Sequence, residues 1–501
     1  MAWAVASPIH AVPDEPDQVK RAVSVWQGQL LGPRVDGQPS VVRSITIDGS
    51  WDSPPIPCFA FHPELSPTDC PAPFPADRAQ VSTTTYDGAF PPLYYGAVGW
   101  VSRLTHGARG VRAMRFVSAA LASALLASAV GALSRVVRPH LALLGVAGAV
   151  APMVFFLAGS VNPNGLEIAA AIGLWAHVLA LGRWRGGDPE PQPVPVALAM
   201  GFAVSGATLA LTRFLSPGFA VLIIVVGIAT ASTAEMGALL RDRRVRFALG
   251  AVVAAVVIGS GMTLATGALE GLSGAVPAGS PNPALTTLGL TGAFIEQMLG
   301  WFGWLDTPIS QVTLFGWLLL IGSLIGGAVL LGRRRTVGLL LSTVALTLAV
   351  PWVIQAPRLL EYGLTWQGRH GLPLAVGIPL LAVVAIDDGV GVVTAGVRRL
   401  ALLLASVIAV VQVHALWWAL PRYTVGPGSQ ALGLVGGRWQ PPGGSLPWLA
   451  SMAAFGVALI AAMWWTAGHD LVRERRVDLG ARQTGDMAAH GSARPPRAEK
   501  G

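Results

Sequence analysis

Residues 116–133 read FVSAALASALLASAVGAL, eighteen positions without one charged side chain. A helix rises about 1.5 Å per residue, so about 20 apolar residues cross the hydrocarbon core of a bilayer. With its flanks, 112–134, this stretch reaches that length. Leu and Val supply the hydropathy, while Ala, Ser and Gly let neighbouring helices approach closely. Working outward, comparable runs occur at about 140–160, 165–182, 194–212, 216–233, 246–267, 310–332, 337–355, 371–386, 399–420 and 447–467, which makes eleven candidate spans. Composition agrees. The 501 residues are 53% hydrophobic and only 12% charged, with a mean hydropathy of +0.58, far from an ordinary soluble domain. A transmembrane β-barrel needs short alternating segments, which this sequence lacks. The expected fold is all-α, a polytopic transmembrane helix bundle.

Basic residues in short loops are retained on the cytoplasmic side. One alternating set of loops holds Arg135, Arg138, Arg183, Arg185, Arg241, Arg243, Arg244, Arg246, Arg333 to Arg335, Arg398 and Arg399; the opposite set holds only Arg213, Arg358, Arg369, Arg422 and Arg438. This asymmetry predicts a multi-pass protein of the bacterial plasma membrane with residues 12–111 extracytoplasmic and the C-terminus cytoplasmic. The net charge of +8 then reads as attraction to anionic membrane lipids. No nucleic-acid module accompanies it. Residues 1–11 are expected to be the remnant of a first transmembrane helix that begins upstream. Residues 12–111 form a large loop with a juxtamembrane helix at about 91–105 and a short hairpin around Val41 to Ile47. Residues 112–467 form the eleven-helix domain, and 468–501, rich in charge, Ala, Gly and Pro, form a disordered cytoplasmic tail.

The loop begins with Pro13-Asp14-Glu15-Pro16-Asp17. Ionisable groups at a membrane boundary are costly and mark functional sites. Asp14 is the first candidate for a general base, with Glu15 as a second carboxylate or, together with Asp14, a ligand for a divalent metal ion. Asp17 shares a helical face with Asp14 and is a substrate-binding candidate. The alternative is that these acids stabilise the N-terminus of a helix over 16–28. Cys58 and Cys70, in an exported loop, are expected to form a disulfide. Tyr94 and Tyr95, at headgroup level on the juxtamembrane helix, either bind substrate or only pack that helix. Asn162, Asn164 and Glu167 mark a sharp turn and either bind substrate, with Glu167 as a second acid, or serve the turn alone, Asn164 and Glu167 being spaced as a helix cap. Trp304 suits either stacking on a sugar or the interfacial aromatic belt, and Asp306 either binds a sugar hydroxyl or ends a loop. Arg358, Arg369 and His370 share one loop on the side poor in cations; they bind a lipid phosphate or pair locally with Glu361.

Several of these motifs carry a resemblance. Ser7-Pro8, Pro13-Asp14-Glu15-Pro16, Gly28-Gln29-Leu30, Pro91-Pro92-Leu93-Tyr94-Tyr95, Gly159 to Glu167, Phe302-Gly303-Trp304-Leu305-Asp306 and Gln367-Gly368-Arg369 look like the bacterial DUF2142 family of predicted membrane proteins. That family is similar in turn to the GT-C superfamily of membrane glycosyltransferases. The resemblance spans residues 7 to about 467, departing at Gln18, where a His is expected. It implies a GT-C-like bundle whose first loop carries an essential acid. The implied activity is transfer of a hexose or pentose from a polyprenyl-phosphate carrier to a cell-envelope glycan, glycolipid or protein acceptor.

Such chemistry requires a base near the acceptor, cations for the departing phosphate and an apolar groove for the lipid. The competing expectations are a transporter or flippase of a lipid-linked glycan, which would show repeats and midplane charges, and a non-catalytic envelope-assembly scaffold. The sequence has no nucleotide-binding glycine loop and no metal-binding helix motif.

Overall fold

The computed structural model describes residues 1–184, 193–268, 276–277, 279, 282–390, 395–424 and 436–491. Among these, eight helices are long and apolar enough to cross a membrane, and nine if a bent pair counts as one span. The bent pair, Pro139–Ala149 and Pro152–Ala158, turns by 72°. Pro152 supplies the reason, because a proline inside a helix removes a donor and clashes with the preceding turn. The run expected at 140–160 is therefore two short helices. Gln412 Nε2 donates to the Val150 carbonyl at the break (2.7 Å), satisfying a group the helix no longer pairs. Val196–Ala210 and Ser216–Ile228 are shorter apolar helices. The last helix runs Leu446–Gly491, so the expected tail is helical in backbone as far as Gly491, and 492–501 lie outside the described residues.

Pro163–Gly182 is the axis of the bundle, with every residue buried. It packs on Gly107–Leu133, Val196–Ala210 and Ser216–Ile228. Gly377 opens the helix Gly377–Gly389 against this axis: a Cβ there would lie 2.4 Å from Trp175 Cε2, so only glycine permits the approach. At the far end of the same helices Arg138 pairs with Asp387 (2.9 Å) and Arg183 with Asp388 (3.0 Å).

The large loop is an ordered cap on the other end. Arg43–Asp48 is a strand as expected, but it pairs antiparallel with Gln80–Thr85, Arg43 opposite Thr85 and Asp48 opposite Gln80. The expected local hairpin is thus a long-range pairing. Ile45 and Ile47 are buried on one face of this ribbon, and a two-stranded ribbon needs such a packed face to persist. The helix Glu15–Trp26 rests on the ribbon and on the helix Leu93–Gly99. Arg21, fully buried, ties these pieces together by donating to the carbonyls of Gln29, Leu30 and Phe90. Leu93–Gly99 continues into a turn at Trp100–Arg103, exposing Trp100 and Leu104.

Candidate active site

A cavity of about 320 Å³ opens where the cap meets the spans. The cap contributes Asp14 and Gln18 from the start of its helix and Asp87 from the turn after the second strand. Asn164 comes from the head of the central helix. The connections between spans contribute Arg213, Arg358, Arg369 and His370. Two acids thus face three arginines at one end of an apolar bundle.

Asp14 sits at the N-cap position of Glu15–Trp26 with φ +67°, and its side chain caps no N–H of that helix. Aspartate tolerates this left-handed conformation better than most residues. Freed from capping, Asp14 Oδ2 accepts from Arg369 Nη2 at 2.8 Å. The Asp14 side chain is 47% exposed and that of Arg369 6%. Arg369 therefore pairs with Asp14 rather than with Glu361. Asp87 is buried, and its Oδ2 has no hydrogen-bond partner among the described residues. Burial, then the charges of Asp14 and Asp17, push its carboxyl well above the usual range. Arg213 and Arg21 oppose that shift. Arg213 donates to Asn164 Oδ1 and lies 3.7 Å from Glu167 Oε2, with Phe90 and Phe214 against its guanidinium. Arg358 is exposed at the rim.

Glu15 points the other way. Its side chain and that of Arg115 are both fully buried. Arg115 Nε and Nη2 reach its two oxygens at 2.7 and 2.5 Å, and the backbone N–H groups of His10 and Val161 complete the shell. Arg115 also donates to the carbonyls of Ala4, Ser7 and Pro8. Burial alone raises a carboxyl, yet the Arg115 charge and these donors hold Glu15 below its usual value. The expectation of Glu15 as a catalytic acid or metal ligand is therefore corrected: it pins the start of the chain to the span Gly107–Leu133. The Asp14 and Glu15 pair does not fit a divalent metal, because every Glu15 oxygen is engaged away from the cavity. No group of three or more His, Cys, Asp or Glu among the described residues is arranged to hold one.

The model of a family described as "Predicted membrane protein (DUF2142)" matches residues 1–378. The chain belongs to this family. Two crystal structures of ArnT from Cupriavidus metallidurans are similar to this DUF2142 protein. The undecaprenyl phosphate complex is 15% identical with a TM-score of 0.44, and the apo state 14% identical with a TM-score of 0.43; each alignment covers 94% of this chain and 75% of that one. No curated protein matches.

Other expected residues of this DUF2142 chain fall into supporting positions. Asn162 caps the central helix through Asn164 N and donates to the Pro13 carbonyl (3.2 Å), so it positions Asp14. Glu167 accepts from Ser216 (2.5 Å) and holds Arg213. Tyr95 donates to Gln18 Oε1 and Tyr94 contacts Ser118; both rings are buried, neither lines the cavity, and headgroup exposure is excluded for them. Trp304 donates to the His10 carbonyl (2.9 Å) and Asp306 pairs with Arg422 (2.9 Å). These two also lie off the cavity, and the expected sugar contacts are corrected to structural ones. Arg422 holds the carbonyls of Phe59, His62 and Leu65, beside the disulfide that joins Cys58 and Cys70. Asp17 is buried 3.0 Å from Lys20 and lines a neighbouring cavity. Burial, opposed by Lys20 and aided by Asp14, lifts it to about 6. Asp87 is the residue that sequence reasoning missed; its signal was an acid inside the Tyr86-Asp87-Gly88 turn.

Proposed function

We propose that this protein is a membrane glycosyltransferase. It takes a sugar from a polyprenyl-phosphate carrier and delivers it to a cell-envelope acceptor on the extracytoplasmic face, with the C-terminus in the cytoplasm. The observation that supports this reading best is the Asp14–Arg369 pair: a half-exposed carboxylate, unused by its own helix, held by an arginine at the mouth of a cavity with two further arginines. Arginine is the side chain best suited to phosphate oxygens. A donor phosphate that enters competes for Arg369 and releases Asp14. The acceptor hydroxyl then attacks the anomeric carbon as its proton passes to Asp14, and the carbon–oxygen bond to the phosphate breaks. The carrier phosphate leaves with both electrons of that bond, its charge received by Arg213, Arg358 and Arg369. Asp87, buried with Oδ2 unpartnered among the described residues, lines the cavity where it can hydrogen-bond the donor.

The test is transfer of radiolabelled sugar from polyprenyl-phosphate donors into envelope fractions by the wild type and Asp14→Asn. Incorporation lost in a variant that is still present in the membrane supports the reading. Incorporation unaffected removes Asp14 from it, and altered leaflet distribution of the lipid without incorporation points to a flippase.

A further inference from the structure

A second cavity of about 510 Å³ lies in the cap and shares Tyr86 with the arginine cavity. Asp17 and Lys20 line it from the cap helix, three and six positions beyond Asp14. Thr83 and Thr84 come from the second strand. Tyr86 is 51% exposed, an unusual place for an aromatic ring between two polar hollows. Ser53 lines the cavity, is 2% exposed, and its Oγ has no hydrogen-bond partner among the described residues. A buried hydroxyl left unpaired is costly, and a ligand hydroxyl entering the cavity is a partner it lacks. Asp52 already accepts from Thr83 Oγ1 at 2.8 Å, so the wall presents this carboxylate beside the hydroxyls of Ser53, Thr83 and Thr84.

We propose that this second cavity is the acceptor subsite and binds an uncharged carbohydrate chain, whose terminal hydroxyl passes Tyr86 to reach Asp14. The proposal rests on the transferase reading above. Tyr86 presents a ring face for a sugar, while Asp52, Ser53 and Thr84 meet its hydroxyls. Asp17 and Lys20 offset one another, which leaves Asp52 as the net charge of the lining and disfavours an anionic polymer. A polypeptide fits less well: Pro54, Pro55, Pro73 and Pro75 form much of the wall and have no N–H to pair with an extended backbone.

The experiment uses the full chain in nanodiscs. The probes are the end-labelled, delipidated envelope polysaccharide of the producing cells and, separately, undecaprenyl phosphate. Thr84→Trp fills the cavity from an exposed position, and Tyr86→Ala removes the ring. The expected result is saturable polysaccharide binding by the wild type, weakened about tenfold in each variant, with undecaprenyl phosphate binding retained in Thr84→Trp. Absence of polysaccharide binding by the wild type, or equal binding by all three proteins, overturns the proposal. So does Thr84→Trp-sensitive binding of an extended threonine-rich peptide without polysaccharide binding. Polysaccharide bound in this cleft by a protein that transfers no sugar from labelled donors would sink the transferase reading and leave the glycan cleft. Transfer that continues unchanged in Thr84→Trp at low polysaccharide would do the reverse.

Discussion

Asp14 and Glu15 are neighbours in sequence, and each pairs with an arginine, yet the two pairs belong to different regions of the molecule. Glu15–Arg115 is sealed, with both side chains fully buried and every oxygen engaged. Asp14–Arg369 stands at an open cavity with its carboxylate 47% exposed. A sealed pair holds position, because any partner it lost would leave an uncompensated buried charge. An exposed pair can exchange partners, which is what a substrate requires. The two side chains leave the chain at the left-handed turn of Asp14 and reach arginines on different elements.

The comparison breaks first on activity. Asp14→Asn is expected to lower transfer by about 10²- to 10⁴-fold, the range for loss of a general base, with the thermal midpoint unchanged; equal losses of activity and stability would erase the distinction. Glu15→Gln is expected to do the converse, destabilising the fold by about 3–5 kcal/mol through the stranded Arg115. Thermal unfolding in nanodiscs checks this. A double change, Glu15→Leu with Arg115→Leu, should lose less than Glu15→Gln, since it removes both charges.

Arg369→Lys sharpens the functional side. It keeps the charge and loses the planar fork, so the donor KM should rise about tenfold while kcat changes less. A kcat loss without a KM change would move Arg369 out of phosphate binding. A further effect is in pH. Asp17 has a folded value of about 6 against an ordinary 3.8, so between those values the folded chain keeps a proton that the unfolded chain has released. Stability therefore falls as pH rises through about 4 to 6, and Asp87, also raised by burial, contributes with the same sign. Thermal midpoints across that range should decline in the wild type and more shallowly in Asp17→Asn.

The spans were legible because hydropathy is a property of consecutive residues. The break at Val150 was less so, since Pro152 lies in an apolar run whose length still satisfies a span. The cap hid more of itself. Arg43–Asp48 carries strand alternation, but its partner lies beyond an insertion held by the disulfide and Arg422, and alternation names no partner. Asp14 and Arg369 were recognisable as charges in the wrong place for a membrane protein. Their pairing with one another was not, because it joins residues 355 positions apart. Glu15 was misread for the same reason: its surroundings are set by Arg115, Val161 and His10, and nothing adjacent to it announces them.

The sealed pair also sets an order of events during synthesis. Glu15 leaves the ribosome 100 residues before Arg115, and its second backbone donor, Val161 N–H, follows later still. Until the helix Gly107–Leu133 is inserted and the turn at Val161 has formed, the acid has no low-energy place in an apolar interior and stays hydrated. The cap helix is therefore made before the span it docks on and closes only after that span and the turn at Val161 are in place. A chain stalled before Val161 carries an undocked loop, with the carboxylate that will pin it still open to water.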